Sequence, residues 1–120
     1  MAALLDIRWR MAKARTYSKT TLEAVKLLGR LIRLGRQERH WTKVELTERA
    51  GIARETLDKI ERGDPGSSIG LAFEVAILVG VKLFDADKDD LRRALIAADE
   101  RIALLPQRTH PQQRTVEDDF

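Results

Sequence analysis

Residues 43–63 read Lys43-Val-Glu-Leu-Thr-Glu-Arg-Ala-Gly51-Ile-Ala-Arg-Glu-Thr-Leu-Asp-Lys-Ile-Glu-Arg-Gly63, two short amphipathic segments on either side of one glycine. Leu46, Ala50, Ile52, Leu57 and Ile60 are spaced so that two helices crossing at Gly51 bury them against each other. Gly51 reaches positive φ without a Cβ clash, so the first helix can stop and the second start at a steep angle. Thr42-Lys43-Val44-Glu45 forms a capping box at the start of the first helix. Gly63, followed by Asp64-Pro65-Gly66, ends the second after about three turns. Two helices joined in this way present the second to the groove of a DNA duplex.

With Leu57 and Ile60 turned inward, the outward face of the second helix carries Arg54, Glu55, Thr56 and Lys59, with Arg62 near its end. Arginine can bridge two acceptors of guanine, glutamate accepts from the cytosine amino group, and a threonine methyl touches thymine. Each pairing discriminates by about 1–3 kcal/mol. A solvated helix face carries similar residues; the turn spacing, more than the charge, assigns this face to DNA.

The 120 residues suffice for one domain with a modest core and short extensions. The absence of cysteine excludes disulfide and thiol chemistry and fits a reducing, cytoplasmic setting. His40 and His110 lie far apart, with no metal-ligand spacing, so no metal is expected. No apolar run is long enough to span a bilayer, and the acidic, short N-terminus does not read as a signal peptide. Met11, which begins a basic stretch containing Lys13, Arg15 and Lys19, is an alternative start to Met1. Net charge is +3, yet residues 1–62 hold 15 Lys and Arg against 8 Asp and Glu, a charge of +7, leaving −4 on residues 63–120. A basic half that coincides with the two-helix motif is the electrostatic footprint of a phosphate-binding surface.

Outward from the motif, Thr20-Thr-Leu-Glu23 reads as a second capping box, followed by Leu22, Val25, Leu28, Ile32 and Gly35 at helical spacing. Arg30, Arg33, Arg36 and Arg39 are placed mostly on the outside of that helix, either as contacts to a DNA backbone or as a solvated face, and Trp41 packs at its end. Beyond Asp64-Pro65-Gly66, Ser67 or Ser68 caps a helix whose core residues are Leu71, Phe73, Val75, Ala76, Leu78 and Val79, closed by Gly80. Val81 to Phe84 fits either a short strand or a loop tucking Phe84 inward. Asp87 to Asp90 opens a last helix with an apolar stripe of Leu91, Leu95, Ala98, Ile102 and Leu105, which either covers the monomer core or, since four helices already do that, forms a dimer seam. Residues 106–120 are expected to be flexible, with Val116 and Phe120 flanking Glu117, Asp118 and Asp119.

Through Leu46, Ala50, Gly51, Ile52, Leu57, Ile60 and Glu61-Arg62-Gly63, the motif resembles the helix-turn-helix of the lambda-repressor (XRE) family. The resemblance covers residues 20–84. Its closest form is the HipB-like antitoxins of HipA-type toxin-antitoxin systems, through Leu28-Gly29-x-x-Ile32-Arg33, Ile60-Glu-Arg-Gly-Asp-Pro-Gly66 and Val116-Glu-Asp-Asp-Phe120. It implies an all-α, lambda-repressor-like bundle of four to five helices. The organisation expected is a basic extension over 1–19, a helix-turn-helix domain with a C-terminal dimerisation helix over 20–105, and a tail over 106–120. The resemblance further implies a homodimer on a near-palindromic operator, autorepression, and neutralisation of a HipA-like kinase toxin docked by Val116, Glu117, Asp118, Asp119 and Phe120. Three positions depart from the family pattern: Lys43 for glutamine, where it would grip phosphate; Thr47 for a small alanine at the helix crossing; and Ala53 for the serine that caps the second helix. No nucleophile, acid–base pair or cofactor loop is present in motif spacing, so neither catalysis nor a cofactor is expected. A phage-type repressor without a toxin, and a helical adaptor that binds protein alone, remain as alternative readings.

Overall fold

The first helix begins where Ser18, in extended backbone, lets its hydroxyl accept from the Thr21 amide at 3.2 Å. In the computed structural model, which describes residues 15–107, this helix, α1, runs Lys19–Glu38. The capping box expected at Thr20-Glu23 therefore does not form: serine satisfies the orphan amide two residues earlier, and both threonines sit inside the first turn. Helix α2 (Lys43–Ala50) opens on the Thr42 capping box, with Thr42 Oγ1 accepting from the Glu45 amide at 3.0 Å and Glu45 Oε1 accepting from the Thr42 amide at 3.1 Å. Gly51 stands at φ 69°, and α3 (Arg54–Arg62) follows two residues later, ending on Gly63 at φ 79°. Ser68, not Ser67, caps α4 (Ile69–Leu78).

These four helices form one compact unit that ends at Val81. Its core is Ile32 from α1, Leu46 from α2, Leu57 and Ile60 from α3, and Ala72, Val75, Ala76 and Val79 at α4. Each large aliphatic side chain removed from water contributes about 1.5–3 kcal/mol. The core lies further round α4 than its sequence suggests. Ala72 is buried, whereas Leu71 is exposed and Phe73 and Leu78 are half-buried, because in an almost wholly apolar helix periodicity cannot single out the inward face.

Two glycines set how closely α1 approaches its neighbours. A Cβ on Gly29 would stand 2.5 Å from the Glu61 carbonyl oxygen, and one on Gly35 would stand 2.6 Å from the Val79 carbonyl oxygen. Trp41 lies past the end of α1 with the Arg49 guanidinium 4.1 Å from its ring centre and that of Arg39 at 5.8 Å.

A second compact unit begins at Lys82. Leu83–Asp85 form a 3-10 turn in which Phe84 adopts φ 56° and is 80% exposed, so this stretch is neither a strand nor an inward-tucked loop. The turn closes through the Ala86 amide on the Leu83 carbonyl, a local pairing that competes with any ladder. Helix α5 (Lys88–Leu104) starts on Asp87, whose carboxylate accepts from the Asp90 amide at 2.8 Å. None of its residues is buried; Leu95 and Ile102 of the apolar stripe are exposed. Among the described residues there is no strand, and no helix is long and apolar enough to cross a membrane.

Candidate nucleic-acid interface

Helix α3 shows its polar face because Leu57 and Ile60 pull the other side into the core. Arg54 and Glu55 are exposed in its first turn, Thr56 and Lys59 half-buried along its length, and Arg62 exposed at its end. Ala53 occupies the cap position with no side-chain hydrogen bond, as its lack of a hydroxyl dictates. Thr47, at the helix crossing, is buried and donates its hydroxyl to the Val44 carbonyl at 2.7 Å, which satisfies the group within its own helix.

One residue absent from the sequence-based site organises it. The Asp58 carboxylate receives Lys43 Nζ at 3.0 Å and lies 3.5 Å from Arg54 Nε, tying the start of α2 to the face of α3. The Lys43 hydrogen bond, then the charges of Lys43 and Arg54, hold the Asp58 carboxyl below its ordinary value despite some desolvation. Asp58 stands four residues after Arg54, a helix-neighbour spacing that could have disclosed it. In the absence of DNA, Lys43 is thus held by a carboxylate rather than extended into solvent. Arg62 is likewise steered by Asp64 at 3.4 Å, whose carboxyl the Gly66 amide and the nearby Lys59 and Arg62 hold low.

Beside this face lies a hollow of about 340 Å³ lined by Arg30, Arg33, Lys43, Asp58, Glu61 and Arg62. Four cations face two carboxylates there, and one of these, Glu61, is already taken by Arg36. Arg36 donates Nε to Glu61 Oε2 at 2.7 Å and Nη2 to Oε1 at 3.1 Å, and the two residues are 7% and 4% exposed. Arg36 therefore departs from the expectation of an outward arginine: it lies one turn beyond Ile32 on the core face of α1 and meets a glutamate next to Ile60. Arg39 is also committed, donating to the Val79 carbonyl, and Arg30 donates to the Glu61 carbonyl at 3.0 Å. Arg33 is half exposed, 3.8 Å from Glu61 Oε1. Lys26, Arg30 and Arg33 stand on one flank of α1, so the hollow and the recognition face form a continuous basic surface.

Lys43, Arg54 and Arg62 are thus brought to one surface with Glu55, Thr56 and Lys59 on the same helix. Val116, Glu117, Asp118, Asp119 and Phe120 lie outside the described residues. No group of three metal-ligating side chains occurs among the described residues. Residues 32–85 match a family model described as helix-turn-helix. No curated protein and no solved structure matches the chain.

Proposed function

We propose, from the premise that residues 32–85 are a lambda-repressor-like helix-turn-helix of DNA-binding transcriptional regulators, that this chain represses its own operon as a homodimer and serves as the antitoxin of a HipA-like kinase toxin. The observation that carries the DNA reading is the juxtaposition of the α3 face with the four-cation hollow: base-reading side chains stand beside groups suited to backbone phosphates. Arg54, Glu55, Thr56 and Lys59 read base edges, while Lys43 and Arg62 grip phosphate. Asp58 would release Lys43 and Arg54 to DNA as the duplex arrives. The exposed stripe of α5 supports a seam between two copies, which would set their recognition helices about 34 Å apart, one turn of DNA. The motif Ile60-Glu-Arg-Gly-Asp-Pro-Gly66 and the acidic ending Val116–Phe120 support the antitoxin role.

The test is a titration of the purified protein against its own upstream DNA and a shuffled duplex at about 150 mM salt and above, since salt separates phosphate grip from base reading. A preference beyond about a thousandfold establishes operator binding; equal, steeply salt-sensitive binding discards it. Co-expression with a neighbouring kinase-like protein tests the antitoxin role: residues 1–105 should retain operator affinity and lose neutralisation.

A further inference from the structure

The outward face of α3 carries a carboxylate between its cations. Asp58 stands one turn after Arg54 and one turn before Arg62, and at 100° per residue it projects midway between them, away from the inward Leu57 and Ile60. Its side chain is 36% exposed. Lys43 Nζ donates to Asp58 Oδ1 at 3.0 Å and Arg54 Nε lies 3.5 Å from the same atom, which leaves Oδ2 outside both contacts. With Lys43 and Arg62, Asp58 also lines the cationic hollow beside α3.

Stability alone does not account for this placement. Ion pairs this open to water contribute little, and α2 and α3 already bury Leu46, Leu57 and Ile60 in the core. Against a duplex, a carboxylate is repelled by the phosphates. Its two partners are the groups that binding calls away, Lys43 to a phosphate and Arg54 to a guanine edge. Once both leave, Asp58 is an unpaired charge pressed against DNA, which is costly unless a donor replaces them. In the major groove the donors are amino groups, N4 of cytosine and N6 of adenine; guanine and thymine present the acceptors O6 and O4 instead.

We infer that Asp58 is a specificity-determining residue of the DNA face, yielding Lys43 and Arg54 only where a base presents an amino group to its carboxylate. The inference rests on the operator reading of that same face. On a matching site three exchanges occur together: Lys43 passes to phosphate, Arg54 to guanine, and the carboxylate to cytosine or adenine. Where guanine or thymine stands at that place, the cluster stays closed and both cations are withheld. A duplex of arbitrary sequence therefore meets a face with two fewer free cations, and the operator is favoured by what the others are denied.

The test exchanges each base pair of the upstream duplex across its strands in turn, and titrates the set, with the shuffled duplex, against the full chain and its Asp58→Ala variant. In the wild type, exchange at one position of each half-site should weaken binding at least tenfold. Asp58→Ala should lose less than threefold there and match the wild type elsewhere. On the shuffled duplex it should bind at least threefold more tightly, with a log–log salt slope steeper by about 1, because Lys43 is then free to grip a phosphate. In a Lys43→Gln background that steepening should vanish, which separates release of Lys43 from mere loss of a negative charge. Asp58→Asn provides the same scan should the alanine variant fold poorly, since its amide donates as well as accepts. A wild type without preference for the upstream duplex fails the operator reading and takes the inference with it. A preference with equal losses in both proteins at every position, or an unchanged slope on the shuffled duplex, overturns the inference alone.

Discussion

Replacing Arg36 by methionine should cost about 3–5 kcal/mol of stability, the range for removing one partner of a buried ion pair. The substitution deletes two hydrogen bonds to Glu61, at 2.7 and 3.1 Å, and a third to the Trp41 carbonyl at 3.0 Å. A hydrogen bond to a charged group contributes about 1.5–3 kcal/mol net, and relief of the desolvation of Arg36 itself offsets part of the sum. Glu61, 4% exposed, would keep only Arg33 at 3.8 Å. At about 4–8 °C per kcal/mol for a domain of this size, the melting temperature should fall by about 12 °C or more. Urea denaturation followed by circular dichroism gives the loss, and a cycle with Glu61→Leu isolates the pair. Glu61→Leu alone should also destabilise, while the double variant should recover most of the loss, since no unpaired charge then remains inside. A single-variant loss below about 1 kcal/mol, with no recovery in the double, would refute the buried pairing that ties α1 to the end of α3.

Arg54→Ala should cost about 1–3 kcal/mol in operator affinity with an unchanged melting temperature, read by parallel titration and thermal denaturation. Ala53→Ser supplies the missing cap of α3 and should stabilise by about 1 kcal/mol in urea denaturation. Gly29→Ala sets a methyl 2.5 Å from the Glu61 carbonyl oxygen and should cost about 3 kcal/mol or more, whereas Gly51→Ala meets open space and only its φ of 69° opposes it, for about 1 kcal/mol; a reversed order would contradict the close approach of α1 to α3. Asp58, whose folded carboxyl titrates below its ordinary value, stabilises the fold above the unfolded aspartate range, a contribution lost as pH falls through the lowered folded value. Asp58→Asn should flatten that acid limb of the stability–pH profile.

What could be read without coordinates was local. Gly51, Gly63, the Thr42–Glu45 box and the apolar positions Leu46, Leu57 and Ile60 act through neighbours within a turn or two, so spacing discloses them. Arg36 and Glu61 meet across 25 residues of chain, and an arginine near a helix end reads as solvated until its partner is known. The exposed leucines of α1, Leu27, Leu31 and Leu34, were masked by their own periodicity: these positions fit a helix as well as 25, 28 and 32, so the sequence indicates a helix without stating that it has two apolar sides. Phe84 was misread because positive φ at a phenylalanine has no sequence signal.

The stripes of α1 lie only one residue apart in number. Core positions 25, 28, 29 and 32, cations 26, 30 and 33, and leucines 27, 31 and 34 share the same stretch of about three turns of helix. Insertion or deletion of a single residue within α1 would turn everything beyond it by about 100°. A deletion would bring leucines to the flank where arginines stand and charges toward the interior, while an insertion would turn the leucines inward and the cations onto the leucine flank. Substitutions can alter one side of this rod independently of the others, but its length is fixed, and relatives that keep all three sides should differ in α1 by residue exchange and hardly ever by indels.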